Sequence, residues 1–121
     1  MKYTIALLGI TAVFLGAFGA HGLKDLLEQT AIQSYKTGVS YQLLHTVAIL
    51  ALYNSTGTLI TIRLWIVGII LFSGSIYALI LDELIGIDLD FMGPLTPIGG
   101  LFLAAGWCSV AFKTKTLVDK S

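Results

Sequence analysis

The stretch LITIRLWIVGIILFSGSIYALIL, residues 59–81, runs for 23 residues with one charge, Arg63, near its start. At 1.5 Å per residue such a helix reaches about 35 Å, more than the roughly 30 Å of a bilayer's hydrocarbon core. Three further apolar runs flank it, at residues 3–22, 38–54 and 94–112. The second of these is the shortest and holds the ionisable His45, so it spans only with interfacial residues counted in. Each run must be helical, because an open strand in lipid leaves its backbone groups unpaired. The expected fold is an all-α, integral-membrane bundle of four antiparallel helices in a single domain.

Composition supports this reading. The 121 residues are 56% hydrophobic and 12% charged, against roughly 25% charged in ordinary soluble domains, and the mean hydropathy is +0.89. Seven basic and seven acidic residues cancel, which removes the basic excess a nucleic-acid binder needs. A single cysteine, Cys108, excludes a disulfide framework and any multi-cysteine metal site; it reads as a small packing residue. The first run has a rival reading as a signal peptide, with Lys2 as its n-region and Ala17 and Gly19 before a cleavage point. The polar stretch that follows reads instead as a hairpin connection.

Four spans place both termini and the 54–58 connection on one side. Lys2, Arg63, Lys113, Lys115 and Lys120 fall there, against Lys24 and Lys36 on the other. Basic residues favour the cytoplasm, so both termini are expected to be cytoplasmic. The opposite side carries Asp25, Glu28, Asp82, Glu83, Asp88 and Asp90. Trp65 and Trp107 read as an aromatic belt near the cytoplasmic interface. Leu23, Leu26, Leu27, Ala31 and Tyr35 suggest either a short interfacial amphipathic helix after the first span or a solvated connector.

Small residues predict close helix seams: Gly9, Ala12, Gly16 and Ala20 in the first run, Gly68, Gly74 and Ala78 in the third, Gly100, Ala104, Ala105 and Ser109 in the fourth. The same stripes would suit a homo-oligomer or another membrane protein.

Five ordered stretches carry a resemblance: GAFGAHGL (16–23), GVSYQLLH (38–45), LFSGSIYAL (71–79), GPLTPIGG (93–100) and GW (106–107). Together, and across the whole chain, they resemble the YgdD/YwdK-type family of small bacterial inner-membrane proteins, which has relatives in eukaryotes. The resemblance implies a four-helix inner-membrane protein of undefined activity and supplies no catalytic residues.

With cytoplasmic termini, the four longer motifs converge on the outer half of the bundle. His45 is the leading candidate there, since a histidine within a span needs an interior partner. Tyr41 and Gln42 share its helical side, and Ser73, Ser75 and Thr96 are expected at similar depth. Two readings stand: a polar pocket for a lipid or small amphiphile, or a hydrogen-bond network that fixes helix register. His21, between Gly19 and Gly22, is a further ligand candidate at the outer end of the first helix. A metal site of His21, His45 and Asp88 or Asp90 lacks ligand-type spacing and is not expected. Thr96 and Pro97 suit the cap and first turn of the last helix. Asp82 and Glu83 read as solvated loop acids. No catalytic constellation or cofactor motif is present in the sequence, so a non-enzymatic membrane protein without cofactors is expected, its partners being membrane lipids and no nucleic acid. The alternatives are an accessory or assembly protein and an oligomeric small-solute or proton-coupled transporter.

Overall fold

The computed structural model describes residues 1–56 and 58–113. Lys115 and Lys120, counted above on the cytoplasmic side, lie outside the described residues, as does Gly57 of the 54–58 connection. Four α-helices follow in order: α1 Lys2–His21, α2 Gln29–Leu52, α3 Leu59–Ile85 and α4 Leu95–Lys113. A 3-10 turn at Asp90–Met92 lies between α3 and α4. The helices α1 and α3, and the stretch from the 3-10 turn through α4, are each long and apolar enough to cross a membrane. α2 is equally long but carries Gln29, Gln33, Lys36, Gln42 and His45, which lower its hydropathy.

Local chemistry explains the helix ends. Gly86 adopts a left-handed conformation (φ 74°) and its N–H closes on the Asp82 carbonyl, stopping α3 where other residues would be strained. Pro97 sits in the first turn of α4, where the missing N–H would have had no helical partner. Thr96 is inside that turn rather than its cap, because α4 already begins at Leu95.

α2 corrects two expectations. Residues 22–28 form turns, and no separate interfacial helix follows α1. The periodic residues beyond them belong to α2 itself: Ile32, Tyr35 and Gly38 are buried in one stripe with Gln42, His45 and Ile49. What looks like the apolar face of a surface helix is the bundle-facing face of a longer one. The earlier start also moves His45. It lies about 24 Å along α2, well past that helix's midpoint, and so belongs to the half of the bundle where α1 begins and α4 ends, called the termini half below.

Neighbouring helices pack antiparallel in the order α1, α2, α3, α4. α3 and α4 form the closest seam, paired in constant register at 61 with 109, 65 with 106, 68 with 103, 72 with 99, and 75 with 96. In lipid such seams arise from backbone approach and interhelical hydrogen bonds rather than from expulsion of water. A Cβ on Gly99 would fall on the backbone of Phe72, one on Gly106 on the Trp65 ring, and one on Gly68 within 2.6 Å of Leu103. The expected α4 stripe is therefore displaced: Gly99 and Gly106 form the seam, while Ala104 and Ala105 are exposed. In α1 the stripe runs through Gly9, Ala12, Gly16 and Gly19; Ala20 faces outward. Gly19 makes room for the Tyr35 ring, whose hydroxyl donates to the Leu15 carbonyl.

Two apolar clusters fill the bundle. One gathers Ile5, Ile49, Ile62, Trp65, Ile69 and Leu103 towards the termini; the other gathers Leu23, Tyr35, Ile76 and Ile80 at the opposite end. That opposite end also holds Asp25, Glu28, Asp82, Glu83, Asp88 and Asp90, and is called the acidic end below.

Candidate functional site

The buried polar residues form a set of separate ties between helices. Gln42 is the most connected. Its amide nitrogen donates to the Leu8 carbonyl (2.8 Å) and to the Thr11 hydroxyl (2.7 Å), and its oxygen accepts from the Tyr77 hydroxyl (2.7 Å). One side chain thus joins α1, α2 and α3. Ser73 donates to the Gly38 carbonyl (2.6 Å), adding a second bond between α2 and α3. Ser75 pairs with Thr96, and Thr61 with Ser109, at the two ends of the α3–α4 seam.

His45 ties α2 to α4. The Trp107 indole N–H donates to its Nε2 (2.9 Å). Indole nitrogen can only donate, so Nε2 accepts and the proton of a neutral ring sits on Nδ1, directed at the Tyr41 carbonyl (2.7 Å). Both ring nitrogens are engaged in that tautomer. Trp65 completes the cluster: its ring lies 4.7 Å from that of Trp107 and 5.9 Å from His45, and its N–H donates to the Leu103 carbonyl (3.3 Å). Trp65 is only 1% exposed. Of the two tryptophans expected in a belt, Trp65 is instead an interior residue, while Trp107 is exposed and turns only its N–H inward to His45. Tyr41 is exposed on the outer side of α2 and stacks on Phe72, with ring centroids 4.8 Å apart.

Among the described residues no buried side-chain nitrogen or oxygen lacks a hydrogen-bond partner. The sequence candidates therefore divide by location. Gln42 and Ser73 line a groove of about 300 Å³ between α1 and α3, floored by Leu8, Ile69 and Tyr77. Thr96 lines a larger cleft. His45, Tyr41, Ser75 and His21 line neither, and His21 is exposed at the end of α1. His45 and His21 also do not combine with the loop acids, since both His45 nitrogens are engaged in the termini half. Cys108 is exposed rather than packed.

The larger cleft, about 680 Å³, opens at the acidic end between the first half of α2 and the last part of α3. Its floor is apolar: Ala31, Ile76, Leu79 and Ile80. Its walls are polar: Glu28, Thr30, Gln33, Ser34 and Thr37 from α2 and its approach, Glu83 from α3, and Thr96 from α4. Residues 30, 33, 34 and 37 recur at helical spacing, which is the signal in the sequence that marks one wall. Their pairing with Glu83 and Ile76 could not be read there, because it depends on the register between α2 and α3. Below the cleft the Tyr41–Phe72 stack and then the His45–Trp107 bond draw α2 towards α3 and α4.

Beside the cleft, Asp82, Asp88 and Asp90 bring carboxylate oxygens within 4.8 Å of one another. Asp82 accepts from the Leu89 N–H and Asp88 from the Asp90 N–H, which orders the turn into α4. The charge of Asp82, with its hydrogen bond and the nearby Asp88, holds the Asp90 carboxyl above the usual carboxylate range.

Apolar helices of spanning length, small-residue seams and fully paired interior polar groups define the class: a small polytopic membrane protein of the all-α type. The chain belongs to the family described as "Protein of unknown function (DUF423)", which matches residues 15–100. A UPF0382 membrane protein of Haemophilus influenzae is 40% identical over 93% of this chain and 94% of its own length. The UPF0382 membrane protein YwdK of Bacillus subtilis is 36% identical over 87% of each chain. A UPF0382 membrane protein of Schizosaccharomyces pombe is 38% identical over 87% of this chain and 92% of its own. No solved structure matches the chain. The YgdD/YwdK-type resemblance thus holds, and with it the membrane class and an undefined biochemical activity.

Proposed function

We propose that this is a non-enzymatic inner-membrane protein, with both termini cytoplasmic, that holds a lipid or small amphiphile in the cleft at its acidic end. One observation carries the reading: an open cleft of about 680 Å³ with an apolar floor and polar walls, a size usual for small-molecule sites. Elsewhere in the bundle the buried polar side chains are engaged by backbone carbonyls or by other side chains, many of them across helix seams. In the cleft, Glu28, Thr30, Ser34 and Glu83 make no side-chain hydrogen bond or ion pair among the described residues. The site thus differs from the pocket expected around His45, whose polar groups serve helix pairing. The reading as an accessory protein leans on the small-residue stripes, of which Gly68 is buried between the chain's own α3 and α4 while Ala20, Ala104 and Ala105 are exposed.

Native mass spectrometry from lipid nanodiscs tests the proposal. The wild-type chain is expected to retain an amphiphile through release from the disc, and Ser34→Trp, which projects an indole into the cleft, is expected to lose it. An unliganded wild type, or equal retention in Ser34→Trp, overturns it.

A further inference from the structure

We infer that the amphiphile held in this cleft carries a positively charged ammonium group in its headgroup. The inference rests on the cleft reading above and adds the chemistry of the occupant. Two carboxylates, Glu28 and Glu83, stand on opposite walls, one from the approach to α2 and one from the last turn of α3. Each is free of a protein partner among the described residues. Glu28 occupies the position before α2, and its carboxylate makes no cap bond to that helix. It stays available to a ligand.

The surroundings reinforce the sign. Asp82, Asp88 and Asp90 cluster at the same end and add a negative field. The neighbouring cations, Lys24 and Lys36, are exposed and neither lines the cleft nor pairs with its acids. An anionic headgroup would meet like charge on both walls. Ile76, Leu79 and Ile80 on the floor call for a hydrocarbon tail, which separates an amphiphile from a free amine or an inorganic cation. Wall hydroxyls at Thr30 and Ser34 and the Gln33 amide supply neutral donors and acceptors for the rest of the headgroup.

The test uses the intact protein in nanodiscs of equal phosphatidylethanolamine and phosphatidylglycerol with identical acyl chains, read by native mass spectrometry. Wild type is expected to retain phosphatidylethanolamine in preference by roughly threefold to tenfold, the range two solvated carboxylate–ammonium contacts provide. Glu28→Gln with Glu83→Gln should remove the preference while leaving the cleft occupied, since neither side chain supports a helix contact. Ethanolamine, the same ammonium without a tail, should not displace the lipid; displacement would overturn the requirement for an amphiphile. Equal retention of the two lipids in wild type, or an undiminished preference in the double variant, overturns the inference while the cleft reading survives. Retention unchanged by Ser34→Trp brings down both.

Discussion

The two ends of the bundle use similar side chains in opposite ways. Towards the termini, histidine, tryptophan, threonine and serine are matched to partners on adjacent helices, and α2, α3 and α4 close around Trp65. Towards the acidic end, Glu28, Thr30, Ser34 and Glu83 face a cleft and make no side-chain hydrogen bond or ion pair among the described residues. The difference teaches that polarity within a span does not by itself mark a site. A polar group that already has its partner holds helices together, and one left unpaired beside open volume can hold something else.

The closed half can be broken most severely at the seam. Gly99→Ala sets a methyl group on the Phe72 backbone, which cannot yield without separating α3 from α4. A loss of about 3 kcal/mol is expected in reversible unfolding in bicelles. Gly74→Ala, with nothing within 4 Å of the added methyl, should change stability by less than about 0.5 kcal/mol. Equal effects at the two glycines would contradict the seam.

Gln42→Leu comes next. It removes three bonds that join α1, α2 and α3, each worth about 0.6 kcal/mol in a membrane, so about 2 kcal/mol is expected by the same measurement. Trp107→Phe leaves the His45 Nε2 without its donor and should cost about 1–2 kcal/mol. In combination with His45→Phe the loss should be less than additive, and strict additivity would deny the bond.

At the open end, substitutions should affect occupancy more than folding. Ser34→Trp is expected to release the bound amphiphile with a stability change below about 0.5 kcal/mol. The smallest effect concerns Asp90. A carboxyl held above its ordinary value in the folded chain binds its proton more tightly there than when unfolded. Its contribution therefore favours the folded state at low pH and is lost as pH rises from the ordinary carboxylate value through the raised one. The protection factors of the amides in the 86–94 connection, taken against intrinsic exchange at each pH, should fall over that window in the wild type, and Asp90→Asn should flatten the change.

Much of this fold is legible along the chain. The three most apolar runs become α1, α3 and α4 almost residue for residue, because length and hydropathy are local properties. The beginning of α2 is not legible in that way. Gln29, Gln33 and Lys36 dilute its hydropathy, and the stripe of Ile32, Tyr35 and Gly38 acquires meaning only once Gly19 and Ile76 lie opposite it. That single displaced start carried His45 from the outer half, where a pocket was expected, to the half where it pairs with Trp107. The helix glycines announce close packing, yet Gly99 could not be preferred to Gly100 without the α3–α4 register. The cleft is likewise assembled from residues of three helices, and only Thr96 among the expected site residues lines it.

The contrast between the two ends can be measured directly by thiol accessibility in a Cys108→Ser background. Thr37→Cys lies in the cleft, while Thr61→Cys lies in the closed seam, where the native side chain is 0% exposed. A water-soluble maleimide should label position 37 rapidly in nanodiscs of phosphatidylglycerol, and more slowly once phosphatidylethanolamine is included; position 61 should stay unlabelled. Equal reactivity at the two positions, or labelling at 37 that no lipid slows, would contradict the account of one closed end and one receptive end.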